Sequence, residues 1–115
     1  MANSERIFPD EPLSFIQRCV NQQNVKWTYH VNMRMKDRFI PRQLIIDSAS
    51  NYEIIEEYPT DKYFPSYLVR SEYQKQIFHV LFATDVKGDN VRIVTAYWPN
   101  PGEWEQDLRK RRQPQ

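Results

Sequence analysis

The sequence predicts an α+β domain: N-terminal helices packed on one face of a three- to four-stranded antiparallel sheet, with a short helix at the C-terminus. Three observations predict it. Apolar residues in the first half recur at helical spacing. The second half carries segments rich in β-branched and aromatic residues. No helical pattern lies between those later segments, which argues against parallel βαβ units.

The elements follow in chain order. Residues 1–9 are predicted to be flexible, and Asp10 is placed to cap a first helix with Pro12 in its first turn. Leu13, Ile16 and Val20 recur at helical spacing beside Cys19, and residues 21–24 are polar and end the helix. Residues 25–29 read as short and extended. A second helix starts at His30, with Val31, Met35 and Phe39, four apart, as its buried edge. Pro41 biases Ile40 out of the α region and marks a break. Residues 42–48 form a third short helix, with Leu44, Ile45 and Ile46 giving apolar contact.

Residues 52–58 read as the first strand, 59–65 as a loop, 67–71 as the second strand, 76–84 as the third and 91–98 as the fourth. The last two flank a turn, where a three-residue loop of Val86, Lys87 and Gly88 would put glycine in the left-handed conformation. In that register His79 faces Thr95, with Ile77, Leu81, Ile93 and Tyr97 on the same side. Phe78, Val80, Phe82, Val94 and Ala96 lie on the other, greasier side. A slip of one residue would reverse the two faces. Asn100, Pro101 and Glu103 have the arrangement of a capping box, and Trp104 and Leu108 would dock the last helix. The chain after it frays into solvent, residues 113–115 included.

At 115 residues there is room for one core, so residues 1–115 read as a single domain. Hydrophobic residues at 40% and charged residues at 27% argue against disorder. Cys19 has no partner for an internal disulfide and lies on an apolar stripe, which reads as a buried, inert thiol. Two histidines and one cysteine, widely spaced, do not make a metal site, and no cofactor is implied. No run reaches the roughly 18 apolar residues of a membrane span, and a reducing, cytoplasmic setting is the default. Net charge is +1, too little to draw nucleic acid by itself. The charge is uneven, however: Arg34, Lys36, Arg38 and Arg42 oppose only Asp37, and Arg109, Lys110, Arg111 and Arg112 close the chain.

Two groups of residues could carry chemistry. His30, Arg34 and Arg38 stand at i, i+4 and i+8 on one helical ridge. Histidine moves protons and arginine grips phosphate oxygens in bidentate fashion, which suits a phosphodiester. The plainer reading is a solvated face whose arginines pair with Asp37, Glu53, Glu56 or Glu57. His79, Thr95 and Tyr97 form the second group, and there the plainer reading is a hydrogen-bonded structural histidine beside rim aromatics. Arg111 and Arg112 would attract RNA weakly and in a salt-dependent way. No nucleophile elbow or phosphate loop is present.

The stretch His-Val-Asn-Met-Arg-Met-Lys-Asp-Arg-Phe-Ile over residues 30–40 resembles the His-x-x-x-Arg-Met-x-x-Arg-x-Ile opening of a bacterial and archaeal family known as domain of unknown function number 4258. Later pieces follow in order: Tyr58-Pro59 through Pro65-Ser66-Tyr67-Leu68-Val69, then Phe78-His79-Val80, Ile93-Val94-Thr95-Ala96-Tyr97-Trp98-Pro99, and Trp104-Glu105 through Arg112. The resemblance covers about residues 26–112. That family is similar to toxin-like proteins of the RelE and barnase-type ribonuclease fold, placed beside antitoxin-like partners. The resemblance implies metal-independent RNA cleavage by attack of the 2′-OH on the adjacent phosphate. His30 and His79 would then be the acid and base, and Arg34 and Arg38 would stabilise the phosphorane. Tyr97 or Thr95 would orient it. Phe39 stands where the family pattern commonly has glycine. The alternative is a non-catalytic domain that binds a protein partner through exposed aromatics. The sequence fixes no oligomeric state.

Overall fold

The computed structural model describes residues 6–113, so the predicted flexibility of residues 1–5 and 114–115 lies outside the described part. The elements are α1 (Pro12–Asn21), β1 (Val25–Lys26), α2 (Tyr29–Asp37), α3 (Arg42–Asp47), a 3-10 turn (Ala49–Asn51), β2 (Glu53–Tyr58), β3 (Ser66–Tyr73), β4 (Gln76–Asp85) and β5 (Asn90–Tyr97). The strands form one sheet in the order β1-β5-β4-β3-β2. The α+β class holds, but the sheet has five strands and is mixed. The short segment 25–29, read only as extended, contributes β1, which pairs in parallel with β5 through Val25–Val91 and Lys26–Arg92. Two residues are too few for a period-2 pattern, so their place in the sheet left no trace in the sequence.

The helices cover one sheet face. Ile16, Cys19 and Val20 from α1, Val31 and Met35 from α2, and Leu44 and Ile45 from α3 pack on Val69, Phe78, Val80, Phe82, Val91 and Ile93. Burial pushes the Cys19 thiol up, in keeping with an inert buried cysteine. The polar groups on this face are matched: Tyr52 Oη donates to Ile45 O at 2.7 Å, and the Ser71 and Ser48 hydroxyls meet at 2.7 Å.

Several local expectations change. Glu11, not Asp10, takes the cap position of α1, with no side-chain cap bond. Thr28 caps α2, its Oγ1 accepting from Val31 N at 3.2 Å, so the helix starts at Tyr29, before His30. Phe39 is not on the buried edge but 85% exposed, with φ 57°. The cause is a Schellman ending: Phe39 N donates to Lys36 O at 3.1 Å and Ile40 N to Met35 O at 2.8 Å. That reversal turns Phe39 outward and puts Ile40 in the core instead.

The β4–β5 turn has four residues, 86–89, closed by the Asp85–Asn90 pair. Asp89, at φ 55°, takes the left-handed conformation expected of Gly88. Glycine is needed at 88 for another reason: a Cβ there would lie 2.4 Å from Asp85 Oδ2. Asp85 accepts from Gly88 N at 2.9 Å and from the Asn90 amide at 3.2 Å. The register is His79–Tyr97 and Leu81–Thr95, then shifts to Phe82–Ile93. Val94 is therefore the extra residue of a β-bulge. Its insertion sends Ile93 into the core and Val94 to the exposed side, the reverse of the expected faces.

Among the described residues no C-terminal helix forms. Asn100 does organise a turn, its side chain accepting from Gly102 N at 2.8 Å and its carbonyl from Glu103 N at 2.8 Å. The turn stops there because the Trp104 ring is drawn onto the sheet face that the helices leave open, where it is 1% exposed. The chain then doubles back, with Glu105 N donating to Lys110 O, Arg112 N to Glu103 O, and a bridge between Trp104 and Arg111. Residues 99–113 thus strap one end of the second face. The basic end does not fray: Arg109 pairs with Glu53 and Arg111 with Glu56, both on β2.

Candidate functional site

Under the strap lies a closed polar cluster. His79 is 0% exposed, its ring packed edge-on against Trp104 with centroids 4.5 Å apart. Its Nε2 is 2.8 Å from Leu108 O and its Nδ1 is 3.3 Å from Tyr97 Oη. A carbonyl only accepts, so Nε2 carries the proton and Nδ1 accepts from the tyrosine. Burial, with help from the Arg70 and Arg111 charges and against the Leu108 carbonyl and Glu56, holds the imidazole below its ordinary value. The ring is neutral and fully occupied. Arg70 Nε donates to Asp107 O at 3.0 Å, and Arg111 stands 4.5 Å over the Trp104 ring while it grips Glu56 at 2.8 Å. Tyr58 also bonds to Glu56. The contacts of His79 with Leu108 and Trp104, of Arg70 with Asp107 and of Arg111 with Glu56 fasten the strap.

The open end of the same face is different. Beyond the strap, Ser66, Ala83 and Arg92 stand side by side on β3, β4 and β5. With the bulged Val94 they form the floor of a groove of about 350 Å³. Thr28, His30 and Val31 wall it from the start of α2, reaching round the edge of β5 above β1. Asp61, Lys62, Tyr63 and Phe64 wall it from the β2–β3 loop. Arg92 lies 6.0 Å over the Phe64 ring. The groove therefore joins an imidazole, two cations, a carboxylate and two aromatic rings with the small or apolar side chains of Ser66, Ala83 and Val94, the composition of a small-ligand site.

The residues singled out from sequence fall in separate places. His30 lines the open groove, with its ring edge-on to Tyr29 at 6.2 Å. His79 and Tyr97 lie beneath the strap. Ala83, on the groove floor, is four residues along β4 from His79, roughly 13 Å at about 3.3 Å per residue. The two histidines do not meet in one cleft. Arg34 is exposed on α2. Arg38 is half-buried and works as a clamp, donating to Ala96 O at 2.7 Å and Thr95 Oγ1 at 3.4 Å, while its own carbonyl accepts from Trp98 Nε1 at 2.6 Å. Thr95 is a partner in that clamp. Arg111 pairs with Glu56, and Arg112 donates to Pro101 O at 2.9 Å.

The groove residues absent from the sequence reading are Asp61, Lys62, Tyr63 and Arg92. The first three come from the 59–65 loop, where Lys62-Tyr63-Phe64 sets a cation beside two rings. Arg92 is brought to the floor by the bulge, which has no sequence signature. Among the described residues no group of three or more His, Cys, Asp or Glu could hold a metal ion, and no helix is long and apolar enough to cross a membrane.

No curated protein and no solved structure matches this chain. The family described as "Domain of unknown function (DUF4258)" matches residues 27–98, from the residue before the α2 cap to the end of the sheet. That span takes in every wall of the His30 groove and more than half of the chain, and the protein belongs to the DUF4258 family.

Proposed function

We propose that this domain is a toxin-like, metal-independent endoribonuclease, and that its working groove is the one carrying His30. The observation that supports the reading is the single open groove shared by His30, Asp61, Lys62 and Arg92. In the reaction the ribose 2′-oxygen attacks the adjacent phosphorus and the bond to the 5′-oxygen breaks, leaving a 2′,3′-cyclic phosphate. Asp61 takes the 2′-OH proton and His30 gives one to the departing 5′-oxygen. Lys62 and Arg92 hold the phosphate oxygens as negative charge builds on them. Arg34 extends the basic rim along α2. His79, Tyr97, Arg38, Thr95 and Arg111 serve this chemistry only by holding the fold, and Arg112 lies on the strap, away from the groove. A toxin of this kind works in the cytoplasm beside a cognate inhibitor protein.

The test is incubation of purified, folded protein with single-stranded RNA in EDTA. Cleavage by wild type, lost at least a hundredfold in His30→Ala and in Asp61→Asn but kept in Arg112→Ala, supports the proposal. RNA left intact by folded protein removes it. A second reading has its own support: Tyr29 and Phe39 are 75% and 85% exposed, and an aromatic anchor held outward suits a non-catalytic domain that docks a protein. Intact RNA together with complex formation that fails in Phe39→Ser would favour that reading.

A further inference from the structure

We infer that a second cleft, on the far side of the β2–β3 loop from the His30 groove, binds phosphate, and that it takes the neighbouring phosphate of a single-stranded RNA. The inference deepens the ribonuclease reading by naming how its substrate is held. The cleft measures about 360 Å³ and includes Arg6, Lys62, Tyr63, Asp85 and Lys87 in its lining.

Arg6 carries the argument. Its Nη1 is buried and has no hydrogen-bond partner among the described residues, while Nη2 makes only a long contact, 3.4 Å, to Lys62 O. A guanidinium nitrogen left without an acceptor is costly; the Arg6 side chain is only part-buried, so a turn of its end would bring that nitrogen to an anion in the cleft. The nearby carboxylate does not: Asp85 is engaged by Gly88 N and the Asn90 amide in its own turn. Arg6 and Lys87 therefore face this cleft, with Lys62 on the boundary it shares with the His30 groove, against one carboxylate that is already hydrogen-bonded.

The two clefts share Lys62, Tyr63 and Phe64. Tyr63 is 69% exposed on the ridge between them. A strand crossing that ridge can stack a base on Tyr63 and set one phosphate in each cleft. Base-on-ring stacking of this kind needs an unpaired base, so single strands are favoured over duplexes.

The experiment uses the full chain and a non-cleavable 2′-O-methyl oligouridine, with binding followed by fluorescence anisotropy across a salt series. Arg6→Ala and Lys87→Ala should each weaken binding several-fold, and their combination should reduce the slope of log K against log salt by about 0.7, one lost phosphate contact on a single strand. Lys87 lies in an exposed turn, so its variant keeps the test valid if Arg6→Ala unfolds. A duplex of the same sequence should bind at least tenfold more weakly. Unchanged affinity and slope in folded variants overturn the inference. So does loss of inorganic phosphate binding without any effect on the oligonucleotide, which would mark a free-phosphate site. Cleavage of unmodified RNA is scored separately. If His30→Ala abolishes cleavage while the Arg6 and Lys87 variants bind normally, only this inference fails. If the wild-type protein does not cleave yet those two variants lose oligonucleotide affinity, only the nuclease chemistry fails.

Discussion

His79 shows how a residue type that suggests catalysis can be given over to structure. Both ring nitrogens are bonded and the ring is sealed, so its neutral form is the one that fits. The folded chain refuses a proton that the unfolded chain accepts once pH falls below the ordinary value of 6.5, and stability drops from there toward acid. Glu56 acts lower down. Burial alone would raise its carboxyl, but hydrogen bonds from Arg111 and Tyr58 outweigh that and hold it below the ordinary 4.5, so its contribution is present above that value and lost beneath it. Between roughly pH 6.5 and 4.5 the decline belongs to His79. Urea midpoints measured across this window should fall for wild type and stay nearly level for His79→Gln; parallel curves would refute the assignment. Phe39 is the opposite case, a bulky residue in the left-handed region with its ring in water. Phe39→Gly should stabilise the domain by about 1 kcal/mol in urea melts, since relief of the steric cost exceeds the entropy gained by the unfolded chain.

At the level of elements, the strap and the turn both lend themselves to direct measurement. Trp104→Ala should cost about 3–5 kcal/mol, because the ring is buried and nothing else fills its place. Gly88→Ala should lower stability by roughly 1–2 kcal/mol, as its methyl meets the carboxylate that organises the turn. Much of the element order was legible in the sequence. The helical spacing of Ile16 and Val20, the Pro41 break and the β-rich runs from Gln76 and Val91 mark real elements. The missing C-terminal helix and the exchanged strand faces share a cause: contacts made far along the chain. Thr28 and Asn100 are both good local caps, yet only the first opens a helix, because Trp104 has a better place on the sheet. The bulge at Val94 exchanged the faces of two neighbours, and a pattern with period two carries no warning of that.

For the whole molecule, the sheet has one face for the helices and another divided between the strap and the groove. Deleting residues 100–115 should uncover the sheet around His79, lower the melting temperature and raise binding of a hydrophobic dye; an unchanged melt would mean that the strap adds little. This division also explains why the candidate site was only half legible. His30 was found because it stands in a helical ridge of recognisable type. Its companions Asp61, Lys62 and Arg92 come from a loop and a strand more than thirty residues later, and only the closed sheet brings them to it.

The parallel pairing of β1 with β5 sets the timing of assembly. The short strand that follows the first helix has its partner among the last residues of the sheet, so Ile16, Cys19 and Val20 cannot complete their packing until Val91 and Ile93 have been made. At a ribosomal pace of about 5–20 residues per second, that leaves an oily helix waiting roughly 4–15 s during each round of translation.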